Sequence, residues 1–153
     1  MTNVRIVECK RLDLAALQKL LRESEEEGHR HIRRLIRDYE SGANRFDKSG
    51  EALWTASVGE TTVGVCGLNR DPYSAADGIG RLRRMYVMRD FRRRGVGSAL
   101  VREAIREARK HYGSLALKTD NPAADSFYQS LGFQELPPDP NASATHLMVL
   151  EEP

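Results

Sequence analysis

The segment Arg92-Arg93-Arg94-Gly95-Val96-Gly97-Ser98 constrains this chain more than any other. It follows a strand-like run, Met85-Tyr86-Val87-Met88, and opens a helix-like run from Gly97 to His111. Strand, glycine loop and helix in that order make an anion cradle. Glycine lets the backbone approach a ligand closely. The N–H groups of a helix's first turn have no partner within the helix and point outward. The helix dipole adds roughly half a positive charge at that end, so the site suits a phosphate or pyrophosphate. Two named phosphate loops do not fit. The Walker loop ends in Gly-Lys-Ser/Thr, which is absent. The dinucleotide fingerprint needs a third small residue, where Leu100 stands, and an acidic residue further on, where Leu115 stands.

At 153 residues the chain fits one domain, residues 1–153, with a substantial core. Its 24 Lys and Arg against 22 Asp and Glu leave a formal charge of +2, which argues against a general nucleic-acid coat. The charge is unevenly spread. Seven Arg and one acid, Asp90, lie between Arg81 and Arg94, while Glu23 to Glu27 is acidic apart from Ser24. Cys9 and Cys66 lack metal-ligand spacing and read as reduced, buried thiols. No metal is expected. Met1 to Arg11 has no apolar signal core, and no run approaches the roughly 20 apolar residues of a spanning helix. A soluble, cytoplasmic protein without membrane contact is expected.

Taken in order, Val4-Arg5-Ile6-Val7 opens as a strand. Asp13 caps a helix with Leu14, Leu17 and Leu21 on one face, and Gly28 ends it. A second helix carries Ile32, Leu35, Ile36 and Tyr39 and ends at Gly42. Ala43 to Gly50 is a loop. Strands follow at Ala52–Val58, at Thr61–Leu68 and, after a loop from Asn69 to Gly80, at Arg81–Arg89. The helix after the cradle has a stripe of Val96, Leu100, Val101, Ala104, Ile105 and Ala108. Ser114–Thr119 is a strand, and Asn121 with Pro122 starts a short helix that Gly132 closes. Phe133–Leu136 and Thr145–Leu150 are the last strands, separated by a turn-rich loop. The unit from Arg81 to Thr119 is a strand–helix–strand crossover, so its two strands should run parallel.

This order resembles the GNAT acetyltransferase superfamily, well over Thr61 to Phe133 and loosely at the ends. Arg92 to Gly97 satisfies the family's Arg/Gln-x-x-Gly-x-Gly/Ala phosphate motif. Asn121-Pro122-Ala123-Ala124 and Phe127-Tyr128-Gln129-Ser130-Leu131-Gly132-Phe133 look like its downstream signature. The resemblance implies a mixed, mostly antiparallel α/β (α+β) sheet of six to seven strands with about four helices. It implies acetyl-CoA as cosubstrate, no metal, and a primary amine of a small molecule or a peptide as acceptor. The strand edge at Met85, Tyr86 and Val87 should splay from its neighbour and pair with the amide-rich arm of the cofactor. The pyrophosphate should meet the N–H groups of Arg93, Arg94, Gly95, Val96, Gly97 and Ser98. Arg92, Arg93 and Arg94 should add charge, and the Ser98 hydroxyl can donate. Arg81 and Arg83 are expected to be solvated surface. Asn121 should hold the cofactor as well as cap its helix.

The resemblance assigns leaving-group protonation to Tyr128, whose phenol stays protonated at neutral pH. Phe127 is then the better core residue of the pair. The strand carboxylate that many protein-acetylating members use as base is Ala116 here. Bases left open are the Asn69-Arg70-Asp71 loop, which is also the candidate acceptor contact, Glu51, His146 and a water chain. His29 and His31 are expected to be exposed. The acceptor wall mixes Arg30, Arg33, Arg34, Arg37 and Arg45 with Asp38, Glu40 and Asn44; it reads either as a site for a carboxylate or phosphate or as a solvated helix face. A non-catalytic acyl-CoA sensor competes with the enzyme. Nucleic-acid binding through Arg81 to Arg94, with Tyr86 and Phe91 interleaved, is disfavoured. A homodimer is left open.

Overall fold

A computed structural model describes residues 3–74 and 78–150. Seven strands form one sheet in the order β1-β2-β3-β4-β5-β7-β6. They are β1 (Val4–Glu8), β2 (Ala52–Val58), β3 (Thr61–Arg70), β4 (Ile79–Val87), β5 (Ser114–Leu117), β6 (Gln134–Glu135) and β7 (His146–Val149). The helices are α1 (Gln18–Glu26), α2 (His31–Ser41), α3 (Val96–Ala108) and α4 (Pro122–Ser130). β4 and β5 pair in parallel, as the crossover requires, and the other neighbouring pairs are antiparallel. Among the described residues no helix is long and apolar enough to cross a membrane.

The local signals act as their chemistry demands. Asp13 Oδ1 accepts from the N–H groups of Ala15 and Ala16 at 3.1 and 3.3 Å, opening a 3₁₀ turn that runs into α1. Asn121 Oδ1 accepts from Ala123 N–H at 3.0 Å, with Pro122 at the first helical position. The whole predicted stripe of α3, from Val96 to Ala108, is buried. Its large aliphatic members each contribute roughly 1.5–3 kcal/mol by leaving water.

The helices lie on both faces of the sheet. α3 and α4 pack on one, with Cys66, Leu68, Leu82, Leu115 and Leu117. α1 and α2 cover the other, with Phe46, Leu53, Val65 and Tyr86. α3 comes close to the sheet because Gly64 has no side chain: a Cβ there would meet Leu100 Cδ1 at 3.0 Å and Tyr86 O at 3.2 Å.

Several boundaries move from the sequence expectation. β4 begins and ends two residues earlier than expected, because Arg89–Phe91 coils into a 3₁₀ turn closed by Phe91 N–H on Met88 O. β3 continues to Arg70, which pairs with Gly80, so the connecting loop is shorter; its residues 75–77 lie outside the described residues. β6 has only two residues. Cys66 is buried, but Cys9 is half-exposed; both are free.

Candidate functional site

The sheet is split between β4 and β5. Their pairing covers only Ile79, Gly80 and Arg81 against Ser114, Leu115 and Ala116, although β4 runs on to Val87. Pairing of β3 with β4 slips between Val65 and Gly67, and Arg84 in the slipped stretch has φ 59°. This is a bulge, which bends its strand and sharpens the twist. The free edge of β4 therefore faces a gap.

The cradle stands at the mouth of that gap. Arg93 and Gly95 both take left-handed conformations, φ 64° and 82°, and turn the chain from β4 into α3. The first bond back into α3 is Ala99 N–H to Gly95 O, 3.0 Å. The N–H groups of Val96, Gly97 and Ser98 thus precede the helical ladder. A Cβ on Gly97 would point at Met85 Cε, 3.1 Å, and Phe127 Cζ, 3.2 Å, one from each side of the gap.

The three arginines separate. Arg92 turns away from the cradle: its Nε donates to Val87 O at 2.8 Å and its Nη2 to Glu27 Oε1 at 2.6 Å. The Arg92 guanidinium holds the Glu27 carboxyl down at about 2. The Tyr86 hydroxyl lies 2.7 Å from a Glu23 and 2.9 Å from a Glu27 carboxylate oxygen and donates its one proton between them. Arg89 N–H donates to Glu23 Oε1 at 2.7 Å. This network ties α1 to the end of β4 and sets the entry into the cradle. Tyr86 is accordingly a buried strut on the α1 face. Arg94 stacks over Phe91, 5.6 Å to its centroid, and Arg93 is exposed.

Arg81 corrects the expectation of solvated surface. It is 4% exposed. Its Nε donates to Asp71 Oδ1 at 2.9 Å, its Nη2 to Ser143 O at 2.7 Å, and its guanidinium lies 4.7 Å from the Tyr73 ring centroid. It clamps the loops after β3 and before β7 at the apex of the split. Asp71, occupied by this pair, is not a free base. Asn69 exchanges hydrogen bonds with Asn44 and donates to Glu51 Oε2 at 2.8 Å, so Glu51 is also engaged. Arg70 is exposed and interacts with Tyr112. His146 is buried between Thr145 Oγ1 and Asp125 Oδ1, 2.8 and 2.7 Å, and fastens β7 to α4. Its ring is spoken for on both sides.

Tyr128 and Phe127 exchange the burial expected of them. Tyr128 is 7% exposed and sits in the core; Phe127 is half-buried and lines the gap. On a helix, neighbours are about 100° apart, so only one can point straight inward. Tyr128 on α4 belongs to the same buried cluster as Cys66 on β3. Burial pushes its phenol up, further from ionisation. Among the described residues no hydrogen-bond partner meets its hydroxyl. Ala116 is buried at the apex and offers no carboxylate.

His31, expected to be exposed, is instead half-buried. It lies against Tyr86, ring centroids 5.8 Å apart, and its Nε2 is buried without a partner among the described residues. Burial, helped by His29, Arg84 and Arg34, pushes its pKa down to about 4. The only sequence signal was its place at the start of α2. Because the unfolded pKa of about 6.5 exceeds the folded one, the unfolded chain binds more protons between them. Stability contributed by neutral His31 is present above pH 6.5 and lost as pH falls toward 4. Denaturant unfolding should show this loss, on the order of 3 kcal/mol at most. His31→Asn should flatten the profile in that window; an unchanged slope would contradict the burial argument.

A mixed sheet split beside a glycine loop at a helix N-terminus is the fold of a class of small acyltransferases. The sequence matches the Acetyltransferase (GNAT) family over residues 14–133, and the chain belongs to that family. No curated protein matches it in sequence. Among solved structures, an acetyltransferase from Exiguobacterium sp. 255-15 is 30% identical, covering 96% of this chain and 93% of its own, with TM-score 0.85. Ard1 from Thermoplasma volcanium is 24% identical, with coverage of 97% and 99% and TM-score 0.71. The Escherichia coli acetyltransferase YhbS, crystallised in complex with CoA, is 17% identical, with coverage of 99% and 83% and TM-score 0.73.

Proposed function

We propose that this protein transfers the acetyl group of acetyl-CoA to a primary amine of a small molecule or peptide. The cradle at the mouth of the split carries the reading. It aims unpaired N–H groups and the positive end of a 13-residue helix at one point beside an unpaired strand edge. A pyrophosphate with an amide-bearing arm fits both features, and the CoA complex of the E. coli relative supports the choice. In this reading the pyrophosphate meets the N–H groups of Arg93 to Ser98, and the arm follows Met85 to Val87. Arg93 and Arg94 supply charge, while Arg92 acts through Glu27 by holding the loop. Asn121 keeps its Nδ2 for the cofactor while its Oδ1 caps α4.

The amine nitrogen attacks the thioester carbonyl carbon, and the carbonyl pair moves onto oxygen. Collapse of that oxyanion breaks the carbon–sulfur bond, Tyr128 donates its proton to the departing sulfur, and solvent returns a proton to the phenolate. The proton lost by the amine passes to solvent.

A panel of primary amines offered with acetyl-CoA, read by thiol release and by the mass of the acetylated product, tests the proposal. At least one amine should be acetylated. CoA binding without acetylation of any amine would overturn it in favour of a sensor.

A further inference from the structure

The split can be entered from two faces. The α3 and α4 face holds the cradle, so on the acetyl-transfer reading the acceptor comes from the α1 and α2 face. On that face β4 presents Arg83, directly opposite Gly67, whose missing side chain leaves room for Phe46. Arg83 is half-buried, and among the described residues its guanidinium meets no hydrogen-bond or ion-pair partner. Arg84 stands beside it in the bulge, its side chain 11% exposed. Its ion pair is with Asp38 at 3.6 Å, and Arg37 shares that carboxylate at 3.8 Å. Arg34 adds a further positive charge close enough to repel Arg84. Arg84 and Arg37 thus share one carboxylate, while Arg83 and Arg34 add positive charge beside Arg84. A half-buried cation without a counter-ion is costly, and an anionic ligand relieves that cost.

We propose that the acceptor amine carries an anionic group, a carboxylate or a phosphate, which Arg83 and Arg84 bind on the α2 side of the split. The inference rests on the acetyl-transfer reading and adds the substrate class to it. Guanidinium favours these groups because its fork matches two acceptor oxygens at once. The seven arginines from Arg81 to Arg94 do not form one basic face for a polyanion. Arg81 is buried, and Arg89 and Arg92 are both engaged by the Glu27 carboxylate at the end of α1.

The test offers matched amines with acetyl-CoA: glycine against glycinamide, β-alanine against its amide, and phosphoethanolamine against ethanolamine. The first two pairs report a carboxylate and the third a phosphate. Wild type should favour the anionic member of at least one pair by roughly 10- to 100-fold in kcat/KM, and the preference should shrink with salt. Arg83→Gln and Arg84→Gln should remove it while leaving the neutral member, the CoA affinity and the thermal midpoint nearly unchanged. Arg83→Lys should restore part of it. Equal use of both members, or equal loss of both in the variants, overturns the inference and leaves acetyl transfer standing. No thiol release with either member of any pair, in protein that acetylates another amine of the panel, also overturns this inference and leaves acetyl transfer standing.

Discussion

Tyr128→Phe is expected to lower turnover by about 10²–10⁴-fold, the usual worth of general acid catalysis. The ring fills the same space among Phe127, Phe133 and His146, with centroids 5.0, 5.6 and 6.0 Å away. The substitution therefore removes one hydroxyl and no packing. That hydroxyl supports no other group among the described residues, so thermal stability should change little. Burial makes the phenol a weaker acid, which places the expected loss nearer the lower figure. Affinity for acetyl-CoA should hold, because the proton is needed only as the sulfur departs. Full turnover in the variant, with chemistry shown to limit the rate, would remove Tyr128 from the mechanism and leave it a core aromatic.

The parts of this fold written in local patterns were legible in the sequence. The α3 stripe repeats at helical spacing, and all six of its positions are buried. The Asn121-Pro122 start and the parallel crossover also rest on neighbours in the chain. What escaped depends on distant partners. Arg81 looks like surface until Asp71 and Ser143, 10 and 62 residues away, close around it. Arg92 sits in a phosphate motif, yet its guanidinium belongs to Glu27, 65 residues upstream. The left-handed Arg84 has no local sign, because its bulge is set by the pairing with β3. His31 is one residue of a polar helix start until Tyr86 packs beside it. The backbone of the cradle could be read from glycine spacing; the destinations of its arginine side chains could not.

Gly97→Val should abolish CoA binding while the fold survives. The new side chain would enter the space between Met85 and Phe127, whose nearest atoms already lie 3.1 and 3.2 Å from the added Cβ. Both are ends of side chains and can give way, so the protein accommodates the change. Valine in the first turn of a helix also costs little. The two γ-carbons then occupy the gap beside the outward N–H groups, and a phosphate that must approach the backbone closely is kept off. That loss is expected if the cradle holds the pyrophosphate of CoA. Calorimetric titration of CoA into wild type and into Gly97→Val, with matched thermal midpoints, tests it most directly. Wild type should give a saturable binding heat, and the variant none at the same concentrations. Equal affinity in the two proteins would contradict it.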